Sequence, residues 1–387
     1  MTVPRAAYAL ALASLPGCGD ERLRRVLEAV DGDPPRAWAA IAGEVPPDLR
    51  SKLATAAGGA GVLRDWRAAA ATIDPETRWQ PARDAGIEAT LPGDPTYPTR
   101  LLDDHERPPV LFWRGDPSAT DRTRPAVAVV GTRRCTAYGA DVARELGRDL
   151  AAAGVTVVSG LALGIDGAAH EGALVGGAPP VAVVGSGLDV VYPPRHRTLW
   201  RRVVDHGGLL LAEAPPGSPP EPWRFPRRNR ILAALADVVV VVESHASGGS
   251  LSTVRHATDR GVAVMAVPGS VRSPSSAGTN RLLADGVAPV VDVQDVLAAL
   301  ALERPAAAPA RPSSEAPDLV GDPLLGAVDW VPTATEDILR RTGLPIAEAA
   351  TRLTRLEVEG RVRRRGQWWE RVAGPEVVTD GGYTAPS

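Results

Sequence analysis

Four arginines fall within the seven residues from Arg224 to Arg230, interleaved with Phe225, Pro226 and Asn229 and preceded by Trp223. Guanidinium groups take phosphate oxygens in pairs, and aromatic rings stack on unpaired bases for about 1–3 kcal/mol each. The run Trp223 to Arg230 therefore suits a strand of nucleic acid, and it stands just before a helix expected to start near Ile231. The competing reading packs Trp223 and Phe225 into the core and leaves the arginines as a solvated, salt-bridged surface.

A second chemistry lies in loops of small residues. They are Gly131-Thr132-Arg133-Arg134, Ser159-Gly160-Leu161-Ala162-Leu163-Gly164, Gly185-Ser186-Gly187, Ser247-Gly248-Gly249-Ser250 and Pro268-Gly269. Small side chains let a ligand approach the backbone, and exposed amides at a helix start favour an anion. One such loop is weak, because a strand-to-helix turn needs glycine for geometry alone. Several at one edge of a sheet point to a phosphate-bearing ligand. The turn Ser14-Leu15-Pro16-Gly17-Cys18-Gly19-Asp20 could also offer amides to phosphate, or simply close two helices.

Other chemistries find less support. Asp166 and His170 share a helix face four residues apart, a spacing open to acid–base work but more often a cap or a self-satisfied pair. His196 with Arg195 could touch phosphate or be plain surface. Cys18 and Cys135 are the only cysteines, which supports neither a zinc site nor a disulfide framework. No metal, cofactor or catalytic residue is assigned.

These loops need a scaffold, and the pattern from 126 to 300 supplies one. Candidate strands are Ala126–Val130, Val155–Val158, Val181–Val184, Leu209–Ala212, Val238–Val242 and Ala263–Val267, nearly all apolar and mostly β-branched. Such runs suit parallel strands buried on both faces, and helical stretches between them imply a doubly wound α/β sheet. Residues 1–75 read as short helices, and the proline-rich residues 76–125 as an extended connector packed on the core. Residues 301–320 read as a Pro/Ala-rich linker. Residues 321–372 read as helices followed by a basic ribbon, which looks like a winged helix, and 373–387 as a disordered tail. The net charge is −3, so any anion site must be local; of 43 basic residues only Lys52 is lysine. With no signal peptide or spanning segment in view, the cytoplasm is the expected location.

Taken in order, these motifs resemble the DNA-processing protein A (DprA/Smf) family. Val130-Gly131-Thr132-Arg133 is similar to its first loop, and Ser159 to His170 to its most recognisable signature. Gly185 to Asp189 with Tyr192-Pro193, Phe225 to Ile231, Ser247 to Thr253, Val267-Pro268-Gly269 and Gly278-Thr279-Asn280 complete the series. The resemblance is strong over 125–295. It implies a Rossmann-like core, a sterile-alpha-motif-like N-terminal domain and a C-terminal winged helix. It also implies a recombination mediator that binds incoming single-stranded DNA in natural transformation. Such a mediator displaces or tolerates single-strand-binding protein, loads RecA and acts as a homodimer. Carried over, Arg133 and Arg227-Arg228-Asn229-Arg230 would hold phosphates and Phe225 would stack a base. Thr132, Ser159, Gly164, Gly185, Gly249 and Ser250, with the amides of Gly131, Gly160 and Gly248, would line the groove. The loop Ser247 to Ser252, continuing into Thr253-Val254-Arg255-His256, departs from the family's usual form.

Two rivals remain. A nucleotide phosphoribohydrolase of the lysine-decarboxylase-like type needs a glutamate after its glycine loop, and Ser247 to Gly261 offers only Asp259. A transcription factor would instead read duplex DNA with the winged helix.

Overall fold

The computed structural model describes residues 3–43, 46–303, 323–329, 332–365 and 368–372. They form two compact units, one holding residues 1–135 and 142–310, the other mainly residues after 311.

The larger unit is built on a sheet of β1 (Glu88–Thr90), β2 (Leu111–Gly115), β3 (Ala126–Val130), β4 (Thr156–Ser159), β5 (Val181–Val184), β6 (Leu209–Ala212), β7 (Val238–Val241), β8 (Ala263–Ala266) and β9 (Ala288–Pro289). Its order is β1-β2-β6-β5-β4-β3-β7-β8-β9. From β6 through β9 every pairing is parallel. The doubly wound, mostly parallel Rossmann-like sheet expected from the apolar runs is the fold observed, and all six candidate strands lie within it.

Strand alternation explains how both faces are covered. Ala182, Val184, Leu210 and Ala212 join one apolar cluster with Leu199 and Trp200. Val181, Val183, Leu209 and Leu211 join another with Ile231, Leu232 and Leu235. The first cluster runs on without a break into Leu10, Leu12, Leu23, Ile41, Leu53, Trp66 and Trp79 of the N-terminal helices. Those helices therefore share a core with the sheet. They are Arg5–Ala13, Asp20–Glu28, Pro34–Ala42, Pro47–Ala57, Ala60–Ala70 and Pro75–Asp84, three of them opening on proline, whose missing N–H costs nothing there.

The stretch 76–125 contains more structure than an extended connector. Pro75–Asp84 is helical, and β1 and β2 add an antiparallel edge to the sheet, with Phe112 opposite Ala212. Buried ion pairs fasten this stretch down: Arg100 reaches Asp237 at 2.7 Å and Arg260 reaches Asp104 at 2.6 Å.

The smaller unit has the helices Pro323–Ala327, Thr335–Thr342 and Ile346–Val358. Beside them lies an antiparallel sheet of β10 (Thr333–Ala334), β11 (Val362–Arg365) and β12 (Trp368–Arg371), ordered β10-β12-β11. Leu324, Ile338, Leu353, Leu356, Val362 and Trp369 form its core. This is the expected winged helix. The expected linker, beyond the helix Val293–Glu303, and the expected tail lie outside the described residues.

Candidate functional site

β3 sits between β4 and β7, so the chain winds away from it in both directions. A crevice opens beyond the carboxyl ends of strands at such a point. The loops after β3 and β7 meet there, with Thr132 N–H donating to Glu243 O at 2.8 Å. Between them and the helix Arg224–Leu235 lies a cleft of about 600 Å³. Gly131, Thr132, Arg133, Phe225, Asn229, Gly248, Gly249 and Ser250 all line it, so most of the expected residues do converge.

Its most pointed feature is a stack of charge and ring. Arg133 is exposed, and its guanidinium carbon lies 4.6 Å from the centre of the half-buried Phe225 ring. Tyr192 packs on the same ring at 5.5 Å, tilted by 39°. A Cβ on Gly185 would come within 3.0 Å of Phe225, so that glycine makes room for the ring.

The basic cluster is not a loop before a helix. The helix starts at Arg224, seven residues earlier than expected, because Pro226 falls in its first turn and leaves no hydrogen bond broken. Helical spacing then parts the four arginines between faces. Phe225, Asn229 and Leu232 turn to the cleft. Arg227 and Arg230 turn away, into ion pairs with Asp20 and Glu213. Arg230 also donates to Glu106 O at 2.6 Å and does not line the cleft, which corrects its expected role as a phosphate ligand. Arg227 does not line this cleft either.

Arg228 lines the cleft but is only 6% exposed. It donates to Gly160 O at 3.0 Å, to Val183 O, and through Nε to Asn229 Oδ1 at 3.2 Å. Burial pulls its pKa down to about 10, while Asp166 opposes the fall, so it stays charged at neutral pH. Burial likewise raises the Asp166 carboxyl, against the pull of Arg228 and the backbone amides of Ala162 and Gly160. Arg228 is thus an internal clamp under the site.

Several glycines and serines expected on the groove serve packing instead. A Cβ at Gly160 would lie 2.4 Å from the Arg228 guanidinium, and Gly164 holds φ +79° against Thr132 O. Ser159 is fully buried and donates to Val129 O at 2.6 Å. The Gly248 amide donates to His245 O, while Asn229 Nδ2 holds the loop through Ser252 Oγ at 2.7 Å. In the N-terminal turn, Cys18 and Gly19 donate their amides to Leu15 O and Gly17 O, so these two amides close the turn.

His170 is fully buried, with burial holding it down to about 3 and therefore neutral, and His196 is tied to Leu161 O at 2.9 Å. Among the described residues no three His, Cys, Asp or Glu side chains gather as metal ligands, and no helix is long and apolar enough to cross a membrane. Sequence reasoning missed His245, which lines the cleft with Nδ1 3.3 Å from Thr132 Oγ1. Its place in the loop after β7 was the available signal.

Glu213 gives a pH signature. Burial, then the neighbouring Asp20, pushes it from 4.5 up to about 8, with Arg230 and Arg227 pulling the other way. A carboxyl protonated only in the folded chain loses stabilising effect as pH rises from its unfolded towards its folded value. Urea midpoints of the wild type should therefore fall between about pH 5 and pH 8 more steeply than those of Glu213→Gln. Parallel profiles would mean that Glu213 is ionised across the whole window.

Comparisons with known proteins place the chain among relatives of one kind. The family model described as DNA recombination-mediator protein A matches residues 88–301, and that described as DprA winged helix domain matches residues 307–367. Protein Smf of Escherichia coli (strain K12) is 36% identical over 270 residues, covering 68% of this chain and 72% of that protein. The putative DNA processing protein DprA of Mycobacterium tuberculosis (strain ATCC 25618 / H37Rv) is 45% identical over 190 residues, covering 49% of each. The X-ray structure of DNA processing protein A from Streptococcus pneumoniae aligns with a TM-score of 0.63 at 31% identity, covering 77% of this chain and 98% of that one.

Proposed function

The chain belongs to the DNA recombination-mediator protein A (DprA/Smf) family, and from that premise we propose that its cleft binds single-stranded DNA. The observation that carries the reading is the exposed Arg133 guanidinium 4.6 Å from the Phe225 ring, in a cleft at the sheet's switch point. A cation for phosphate beside a ring for a base is the unit by which unpaired strands are held. A duplex keeps its bases stacked inside, beyond the grasp of a ring recessed in a cleft. The fuller role follows the family: protecting incoming single-stranded DNA, tolerating single-strand-binding protein and loading RecA in natural transformation, as a cytoplasmic homodimer.

The reading is of a binding protein rather than an enzyme. The rival phosphoribohydrolase needs a carboxylate at its glycine loop. Asp259 instead ends the helix Ser250–Asp259, about 13 Å along the axis from that loop. Fluorescence anisotropy with labelled oligonucleotides should show a preference for single strands of about tenfold or more, retained when residues 301–387 are removed. Equal or tighter duplex binding, lost with those residues, would transfer the activity to the winged helix.

A further inference from the structure

Beside the cleft just described lies another, of about 360 Å³, between the N-terminal helices and the sheet. Its walls include Ser14, Gly19 and Arg78 on one side and Ser218, Trp223 and Arg224 on the other. The two clefts share Arg228, and Phe225 and Trp223 stand two residues apart at their junction. Trp223 is 52% exposed, an unusual cost for so large a ring unless a ligand covers it. Guanidinium groups already flank it, Arg224 at 4.6 Å and Arg227 at 5.8 Å from the ring centre. The acidic wall is offset, since Arg227 and Arg230 lie against Asp20 and Glu213 and burial favours the protonated form of Glu213. Because the helices share a core with the sheet, the walls are held in place.

We infer that this cleft is a second nucleotide subsite, in which a base of the same single strand stacks on Trp223. The strand then runs from Phe225 across Trp223 towards the turn Ser14 to Gly19, and the N-terminal helices become part of the DNA track. Arg78, beside Ser14, and Arg224, beside Glu221, are the wall cations that would exchange these partners for its phosphates, and Trp223 sets how many nucleotides one chain covers. The inference rests on the proposed single-strand binding at Phe225.

The test uses the full chain and a labelled oligothymidylate of about 20 nucleotides, longer than one nucleotide-binding module spans. Trp223→Ala should weaken binding about five- to hundredfold, the range for one lost stacked base, and reduce the number of nucleotides bound per chain at saturation. Trp223→Phe should restore most of both, because a ring remains. An oligonucleotide carrying 4-thiothymidine should photo-crosslink to Trp223 in addition to the Phe225 region. Unchanged affinity and site size in Trp223→Ala, with Phe225→Ala still impaired, would overturn the second subsite alone. Wild-type binding by both variants would overturn the parent reading as well.

Discussion

Arg228→Ala is expected to lower the unfolding free energy by about 3–5 kcal/mol, the cost of leaving several buried acceptors without their donor at about 1–3 kcal/mol each. The substitution would remove the donor to Gly160 O and Val183 O, and the cation that pulls against the burial-raised Asp166 carboxyl. It would also take away the partner of Asn229 Oδ1, whose amide holds the loop after β7. Arg228→Lys should recover little, because one ammonium cannot span the positions that the guanidinium fork satisfies. Denaturant titration followed by circular dichroism would measure this. Stability within about 1 kcal/mol of wild type would show that the clamp is not structural. A loss of DNA binding in this variant, taken alone, would report unfolding and would not identify a phosphate contact.

Phe225→Ala should do the opposite: leave the fold intact and weaken binding of an unpaired oligonucleotide by about 1–3 kcal/mol. The ring is half-buried, packed by Tyr192 and the Arg133 guanidinium at the mouth of the cleft, so its removal opens the site more than the core. No phosphate contact disappears, and the dependence of affinity on salt should keep its slope. A lowered melting temperature with unchanged affinity would place the ring in the core instead.

The sheet was legible because its central strands are written as nearly all-apolar runs, and burial on both faces demands such runs. β1, β2 and β9 were not, since Glu88–Thr90 and Ala288–Pro289 are two or three residues long and Leu111–Gly115 follows two prolines. The site was legible as a gathering of loops but not residue by residue. A basic run read as extended offers every arginine to the ligand; wound into a helix, it divides them by face. The partner that claims Arg230, Asp20, lies 210 residues away, a pairing no local pattern contains. Glycines were read as room for a ligand, yet Gly160 is room for Arg228 and Gly185 is room for Phe225. Both needs leave the same letter in the sequence.

What distinguishes Arg133 from its neighbours is exposure: among the arginines expected to hold phosphate, it alone stands outside the helix that buries or pairs the others. The decisive measurement is therefore a titration of Arg133→Ala and wild type with a labelled single strand across a series of salt concentrations. Binding should weaken at every salt, and the slope of log affinity against log salt should become shallower by about 0.7, the share of one single-strand phosphate. Superimposable titrations, with both proteins equally folded, would contradict a cleft built around this guanidinium.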